Sequence, residues 1–261
     1  TLTMLTGGID LSAGFVATAT AFVMASFVAQ MDPLIAIPLA LVPAAIAGLV
    51  SGIGVGIFRV HPLIMTLAIG LVVQGLLLVY QRAQLGTNLE IPEVLAWLGT
   101  GRSFGLPNAL LVFVPIAAVI VFGLRRSGYG RLLYAIGDNE GAARLAGVRR
   151  WQVVIVLYTI SAVLAGIAGL VYIGLIKVAS LDLADSLLLP SVAAAVIGGT
   201  SIFGGRGGYA GTIVGALILQ VLGSLLIVTQ MPEGGRRIVF GLLIVAVTAI
   251  YVRLSGERQQ G

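Results

Sequence analysis

Apolar stretches follow one another along most of this chain, at approximately 11–29, 34–58, 61–80, 109–124, 151–175, 187–199, 208–228 and 238–252. A hydrocarbon core of ~30 Å needs about 20 helical residues, and only helices or closed barrels satisfy their own backbone inside it. Runs this long select the helix. With 59% hydrophobic and 10% charged residues and mean hydropathy +1.10, the 261 residues describe an all-α polytopic membrane protein of about eight membrane segments in one domain, 1–261. The stretch 187–199 would cover only about 20 Å. It reads as a half-helix, a tilted short span or a re-entrant piece.

Two glycine pairs interrupt these runs. One lies in Thr6-Gly7-Gly8-Ile9-Asp10-Leu11-Ser12, the other in Ile197-Gly198-Gly199-Thr200-Ser201-Ile202-Phe203-Gly204-Gly205. A broken helix at membrane depth frees N–H and C=O groups that only protein or a water-filled cavity can satisfy, so such breaks point to a permeation path. An ordinary tight turn between spans is the competing reading. Leu2 to Thr6 read as the tail of a span already under way, with sequence expected upstream.

Arginine orients the chain. The connection 125–150 carries Arg125, Arg126, Arg131, Arg144, Arg149 and Arg150, which places it in the cytoplasm by the positive-inside rule. Alternation then puts 59–61, 200–207 and the C-terminal tail 253–261 inside, and 30–33, 81–108, 176–186 and 229–237 outside. Arg206, Arg253 and Arg258 agree; Arg236 and Arg237 at the outer mouth of the last span do not. The polar connection 81–108, with Glu90, Pro92, Glu93, Trp97 and Pro107, is expected to form a short outer-surface helix. The two breaks follow helices of the same direction, which does not suit an inverted repeat.

Gly48-Gly52-Gly56 and Gly207-Gly211-Gly215 recur at i, i+4 and let backbones approach closely, either within the subunit or between copies. Pro38 and Pro43 are expected to kink the second run.

The excluded chemistries are informative. The net charge of +5 comes from arginines in short connections, so no nucleic-acid partner is implied. No phosphate-binding Gly-x-x-x-x-Gly-Lys-Ser/Thr loop occurs, and Lys177 is the one lysine. Gly52-Ile53-Gly54-Val55-Gly56 lies inside a membrane run and does not follow a strand. One histidine, His61, and no cysteine leave no metal or haem constellation.

Residues 133–147 have the grammar of a short helix, with Asp138 as N-cap, Glu140 near the positive dipole end and Gly147 closing it. Ala142, Ala143 and Ala146 leave a low surface, and Glu140 and Arg144 are spaced for an ion pair. An interfacial connector and a partner-docking element both fit.

Gly-Gly-Ile-Asp-Leu-Ser (7–12), His-Pro-Leu-Ile-Met-Thr-Leu (61–67), Ala-Ile-Gly-Asp-Asn-Glu-Gly-Ala-Ala-Arg-Leu-Ala-Gly-Val (135–148) and Ile-Gly-Gly-Thr-Ser-Ile-Phe-Gly-Gly-Arg-Gly (197–207) resemble the permease subunits of ribose-type monosaccharide ABC importers. The resemblance implies a ten-span permease of which about the first two spans are lacking here. It further implies a second permease copy or paralogue, paired or tandem ATP-binding subunits that hold ATP and magnesium, an extracytoplasmic sugar-binding protein and a bacterial cytoplasmic membrane. This chain itself would need no cofactor and catalyse no bond chemistry. Within 125–150, Asp138, Asn139, Glu140, Ala142, Ala143, Arg144, Leu145 and Gly147 resemble the loop that couples such permeases to their ATPase. The family often has a Glu-Leu-Asp-Ala stretch before the second break, where this chain has Leu188-Leu189-Pro190-Ser191.

A branched-chain amino-acid permease and an ion-coupled transporter or channel are the alternatives. The first would call for groups that compensate a doubly charged ligand, the second for buried ionisable groups; Asp10 is the main candidate for either. For a neutral polyhydroxy ligand, the expected path residues are Asp10, Thr66, Gln74, Thr200 and Ser201. Asp10 could equally cap a helix with Ser12 as partner, and Thr66 and Gln74 could bond neighbouring helices.

Overall fold

The computed structural model describes residues 1–27, 31–83, 89 and 91–256. These form eleven α-helices: α1 (Ala13–Phe27), α2 (Pro33–Gly56), α3 (Pro62–Ala83), α4 (Glu93–Thr100), α5 (Ala109–Arg126), α6 (Gly128–Asp138), α7 (Glu140–Leu145), α8 (Arg150–Ile176), α9 (Asp185–Ile197), α10 (Tyr209–Val228) and α11 (Glu233–Gly256). Five of them, α2, α3, α5, α8 and α10, have the length and hydropathy to cross a bilayer unaided. The chain is a multi-pass membrane protein, and the eight apolar stretches expected from the sequence correspond to α1, α2, α3, α5, α8, α9, α10 and α11. Helix α9 has 13 residues, too short for a full span. A single 3-10 turn, Met4–Thr6, precedes the first break where the tail of a span was expected.

At the centre, α8 lies against α1, α2 and α4. Small residues bring α2 onto α8. A Cβ on Gly48 would stand 2.8 Å from Thr159 Cα, one on Gly52 2.6 Å from Ile155 Cα, and one on Gly56 3.3 Å from Trp151 Cα. The first glycine stripe therefore serves packing inside this chain. The second does so in part: Gly211 and Gly215 face the end of α9, whereas Gly207 lies outside the helix with φ +116°. Asp32 starts α2 by accepting a hydrogen bond from Leu34 N at 2.8 Å, with Pro33 at the first helical position and Pro38 and Pro43 inside.

Contacts also sort the connections by side. Arg59, after α2, reaches Glu140, while Gly205 donates its N–H to Leu5 O at 2.9 Å and packs on Asp138. The segments around 59, 138 and 205 thus share one end of the molecule, as the arginine pattern requires. At the other end, α4 rests on the last turn of α8, Gly99 and Gly174 standing backbone to backbone with their partners. Leu95 is buried there and Trp97 is half exposed.

A two-residue antiparallel hairpin, unforeseen from the residues alone, follows: Arg102–Ser103 (β1) with Leu106–Pro107 (β2). Phe104 and Gly105 form its turn at φ +53° and +81°. Glu90, residues 28–30 and 84–88, Arg258, and the side chains of Arg237 and Arg253 lie outside the described residues.

Candidate functional site

The 125–150 connection is not one short helix but two. Ser127 starts α6, its Oγ accepting from Gly130 N at 2.9 Å. Leu133 and Ile136 then turn inward with Leu5, Leu124, Val153 and Leu157. At Asn139 the backbone leaves helical geometry (φ −154°, ψ 100°), and its Oδ1 accepts from Ala142 N at 2.9 Å to start α7. Asn139, not Asp138, is thus the N-cap. The correction has a simple cause: Asp138 still belongs to the last turn of α6, so its side chain is not at the helix entrance. Gly147 closes α7 as expected, at φ +83° with its N–H on Arg144 O.

Two further expectations change. Glu140 does not pair with Arg144; its carboxylate takes Arg150 Nε at 3.0 Å and Arg59 at 3.7 Å. Folding presents it with cations from two other elements. Ala143 is 6% exposed and packs into the cluster around Leu133 and Val153, so it anchors α7 rather than contributing to its surface. The outward residues are Asp138, Asn139, Glu140, Ala142, Arg144, Leu145 and Gly147. Leu145 is 89% exposed, a large apolar side chain without cover on a polar segment.

This connection sits directly on both glycine breaks. Gly137 faces Leu5 O and Gly205 N so closely that an added Cβ would overlap both. A Cβ on Gly204 would lie 2.8 Å from Gly7 N, and one on Gly205 2.9 Å from Asp138 Cα. Two side chains of α6 fix this segment: Tyr134 Oη donates to Gly207 O of the second break at 2.8 Å, and Tyr129 Oη to Val153 O of α8 at 2.9 Å. Burial pushes the pKa of both phenols up, against a smaller opposing effect of Arg125 at Tyr134, so both remain O–H donors at physiological pH. The motifs quoted at 7–12, 135–148 and 197–207, scattered in sequence, meet here at one place.

The first break is stapled by side chains. Asp10 Oδ1 accepts from Ser12 N at 3.0 Å and Ser12 Oγ at 2.6 Å, and Oδ2 accepts from Ser161 Oγ of α8 at 2.8 Å. Its first interaction is an Asx turn at the entrance to α1, so Asp10 has the Ser12 partner read from the sequence. Ser161, a single serine in an apolar run, was not foreseen. Thr66 Oγ accepts from Leu11 N at 3.0 Å and donates towards Pro62 O at 2.9 Å and Ile9 O at 3.3 Å.

Of the path residues expected from the sequence, Thr66, Thr200 and Ser201 are 0%, 1% and 4% exposed in this chain. They face protein within this chain. Thr66 is enclosed because it ties the break to α3; Thr200 lies under Gly207, and Ser201 accepts from Phe203 N at 3.1 Å. Gln74 is half-buried, beside the open face of Gly75.

Helices of spanning length, two backbone breaks and a segment joining them define a membrane permease subunit. Residues 1–248 match the family described as the permease component of the branched-chain amino acid transport system, and this chain belongs to that family. It is similar to the ribose import permease protein RbsC of Escherichia coli K12, with 35% identity over 85% of this chain and 70% of that protein. It is also similar to the fructose import permease protein FrcC of Rhizobium meliloti (32%; 96% and 72%) and the galactofuranose transporter permease protein YtfT of E. coli K12 (33%; 96% and 73%). No solved structure matches.

Proposed function

We propose that this chain is the membrane-spanning subunit of an ATP-driven importer that moves a monosaccharide across a bacterial cytoplasmic membrane, with its C-terminus inside. ATP and magnesium belong to separate ATP-binding subunits, and a second permease copy or paralogue completes the pathway. An extracytoplasmic binding protein delivers the sugar. The observation that carries the mechanism is the seating of the α6–α7 segment on both glycine breaks. A partner that moves α7 moves the two places where the membrane helices are interrupted, and alternating access follows from two arrangements of that joint. The relatives named for ribose, fructose and galactofuranose favour a sugar over the amino acid of the family description. The engagement of both Asp10 oxygens by serine favours a structural carboxylate over a ligand clamp.

Docking is tested at the exposed residues. Ala142→Trp with Leu145→Arg should abolish co-purification of the ATPase subunits and sugar-stimulated ATP hydrolysis, while membrane insertion persists. Undiminished uptake in that variant overturns the assignment. Gln74, half-buried on α3, is the position at which the path is tested. In this cysteine-free chain, Gln74→Cys should react with a small hydrophilic thiol reagent and Thr66→Cys should not. Protection of position 74 in every nucleotide state removes it from the path.

A further inference from the structure

A cavity of about 440 Å³ opens where α2 ends, α8 begins and α7 passes between them. Its walls carry Arg59, Arg144, Arg149 and Arg150 against a single carboxylate, Glu140, a formal balance of three positive charges. Arg150 is already engaged, with Nη1 on Val55 O at 3.0 Å and Nε 3.0 Å from Glu140. Arg59 is only loosely held, 3.7 Å from Glu140 and with its side chain 64% exposed. Arg144 and Arg149 are exposed; among the described residues, the ion pairs at this cavity involve only Arg59 and Arg150.

The rim is apolar and aromatic. Ile57 and Trp151 line it at 52% and 44% exposure, and Phe58, next along the chain from Ile57, is 74% exposed. Arginines around a hollow, with aromatic and aliphatic side chains beside them at the helix ends, match the layers of a bilayer interface: charge at headgroup level and apolar surface below.

We propose that this cavity binds the phosphate of an anionic phospholipid headgroup from the cytoplasmic leaflet. The assignment of the leaflet rests on the orientation adopted above. The guanidinium groups of Arg59, Arg144 and Arg149 supply donors to the phosphate oxygens, and Glu140 fixes Arg150 and keeps its charge from dominating one wall. The acyl chains would descend past Ile57 and Phe58. Because α7 contributes Arg144, a bound headgroup braces the docking segment against α2 and α8.

The experiment uses the assembled transporter, measuring lipid retained by native mass spectrometry after titration with phosphatidylglycerol, with phosphatidylcholine of the same acyl chains, or with inorganic phosphate. Wild type should retain phosphatidylglycerol preferentially. Arg59→Gln with Arg149→Gln should weaken that retention about fivefold per arginine, about thirtyfold for the pair, and Arg59→Lys with Arg149→Lys should recover most of it. The lysine pair guards against misreading a folding defect, and Arg150 is left intact because it holds Val55 O. Equal retention of the two lipids, or an unaltered glutamine variant, overturns the proposal. An arginine-dependent response to inorganic phosphate that phosphatidylglycerol does not compete with assigns the site to a soluble anion and overturns the lipid source. Retention seen only after the ATPase subunits are stripped away overturns it in favour of a protein partner. Ala142→Trp/Leu145→Arg permease that loses its ATPase yet still retains phosphatidylglycerol separates this site from the docking reading.

Discussion

The two glycine breaks look alike in sequence and differ in what chiefly holds them. The first is held by polar side chains: Asp10, Ser12, Thr66 and Ser161 form hydrogen bonds around residues 9–12. The second is shaped chiefly by backbone, with Gly199, Gly204, Gly205 and Gly207 all in the left-handed region at φ +83°, +94°, +72° and +116°. Interruption of a membrane helix can thus be stabilised by adding acceptors where N–H groups are freed, or by removing every Cβ so that neighbouring strands of backbone satisfy one another. The first kind should fail when chemistry changes at constant volume, the second when volume changes at constant chemistry.

The largest effect is expected where the second principle is under most pressure. Gly137→Ala sets a methyl group against Leu5 O and Gly205 N, and overpacking against backbone that cannot yield should cost about 3 kcal/mol. Thermal unfolding of the purified protein should show it as a clear loss; an unchanged midpoint would mean that the junction is looser than described. Next, Asp10→Ala removes the acceptor for three donors and should cost about 2 kcal/mol, since hydrogen bonds to a charged group are worth ~1.5–3 kcal/mol and their donors would be left buried. Asp10→Asn keeps an oxygen for the Asx turn and should cost roughly half as much. Equal losses would show that charge, not acceptor geometry, holds the first break. Transport KM should stay constant in surviving Asp10→Asn protein, and a raised KM would instead place Asp10 against the sugar. The smallest effect belongs to Gly199→Ala. Its left-handed backbone has nothing within 4 Å of an added Cβ, so only conformational strain of about 1 kcal/mol is expected. If it unfolds the protein as fully as Gly137→Ala, the distinction between steric and conformational glycines collapses.

How far the sequence could be read depends on how local the determining physics is. Spans follow from unbroken hydropathy, and even the shortness of Asp185–Ile197 was visible because a helix has a fixed rise. The arginines of 125–150 announced the end at which Arg59 and Gly205 meet that connection. What escaped were pairings across space. Glu140 has Arg144 at the right spacing, yet Arg150 and Arg59 are brought to it by α8 and α2. Ala143 and Ala142 are indistinguishable in sequence; the fold buries one and exposes the other. The cap moved by a single position, to Asn139, because helix boundaries turn on differences smaller than any propensity. The hairpin at 102–107 is too short for alternation to register. Thr66 was legible as a polar group in a membrane run, but its enclosure depends on Leu11 and Ile9 arriving from the other side of the break.

A joint made of bare backbone also has a mechanical character. Side chains absorb displacement by changing rotamer, and the contact of Gly137 with Leu5 and Gly205 has none to change. It is stiff and has no slack. Displacement of α6 at this contact bears on Leu5 and Gly205 alike, so the two interrupted segments meet the cytoplasmic connection at one point.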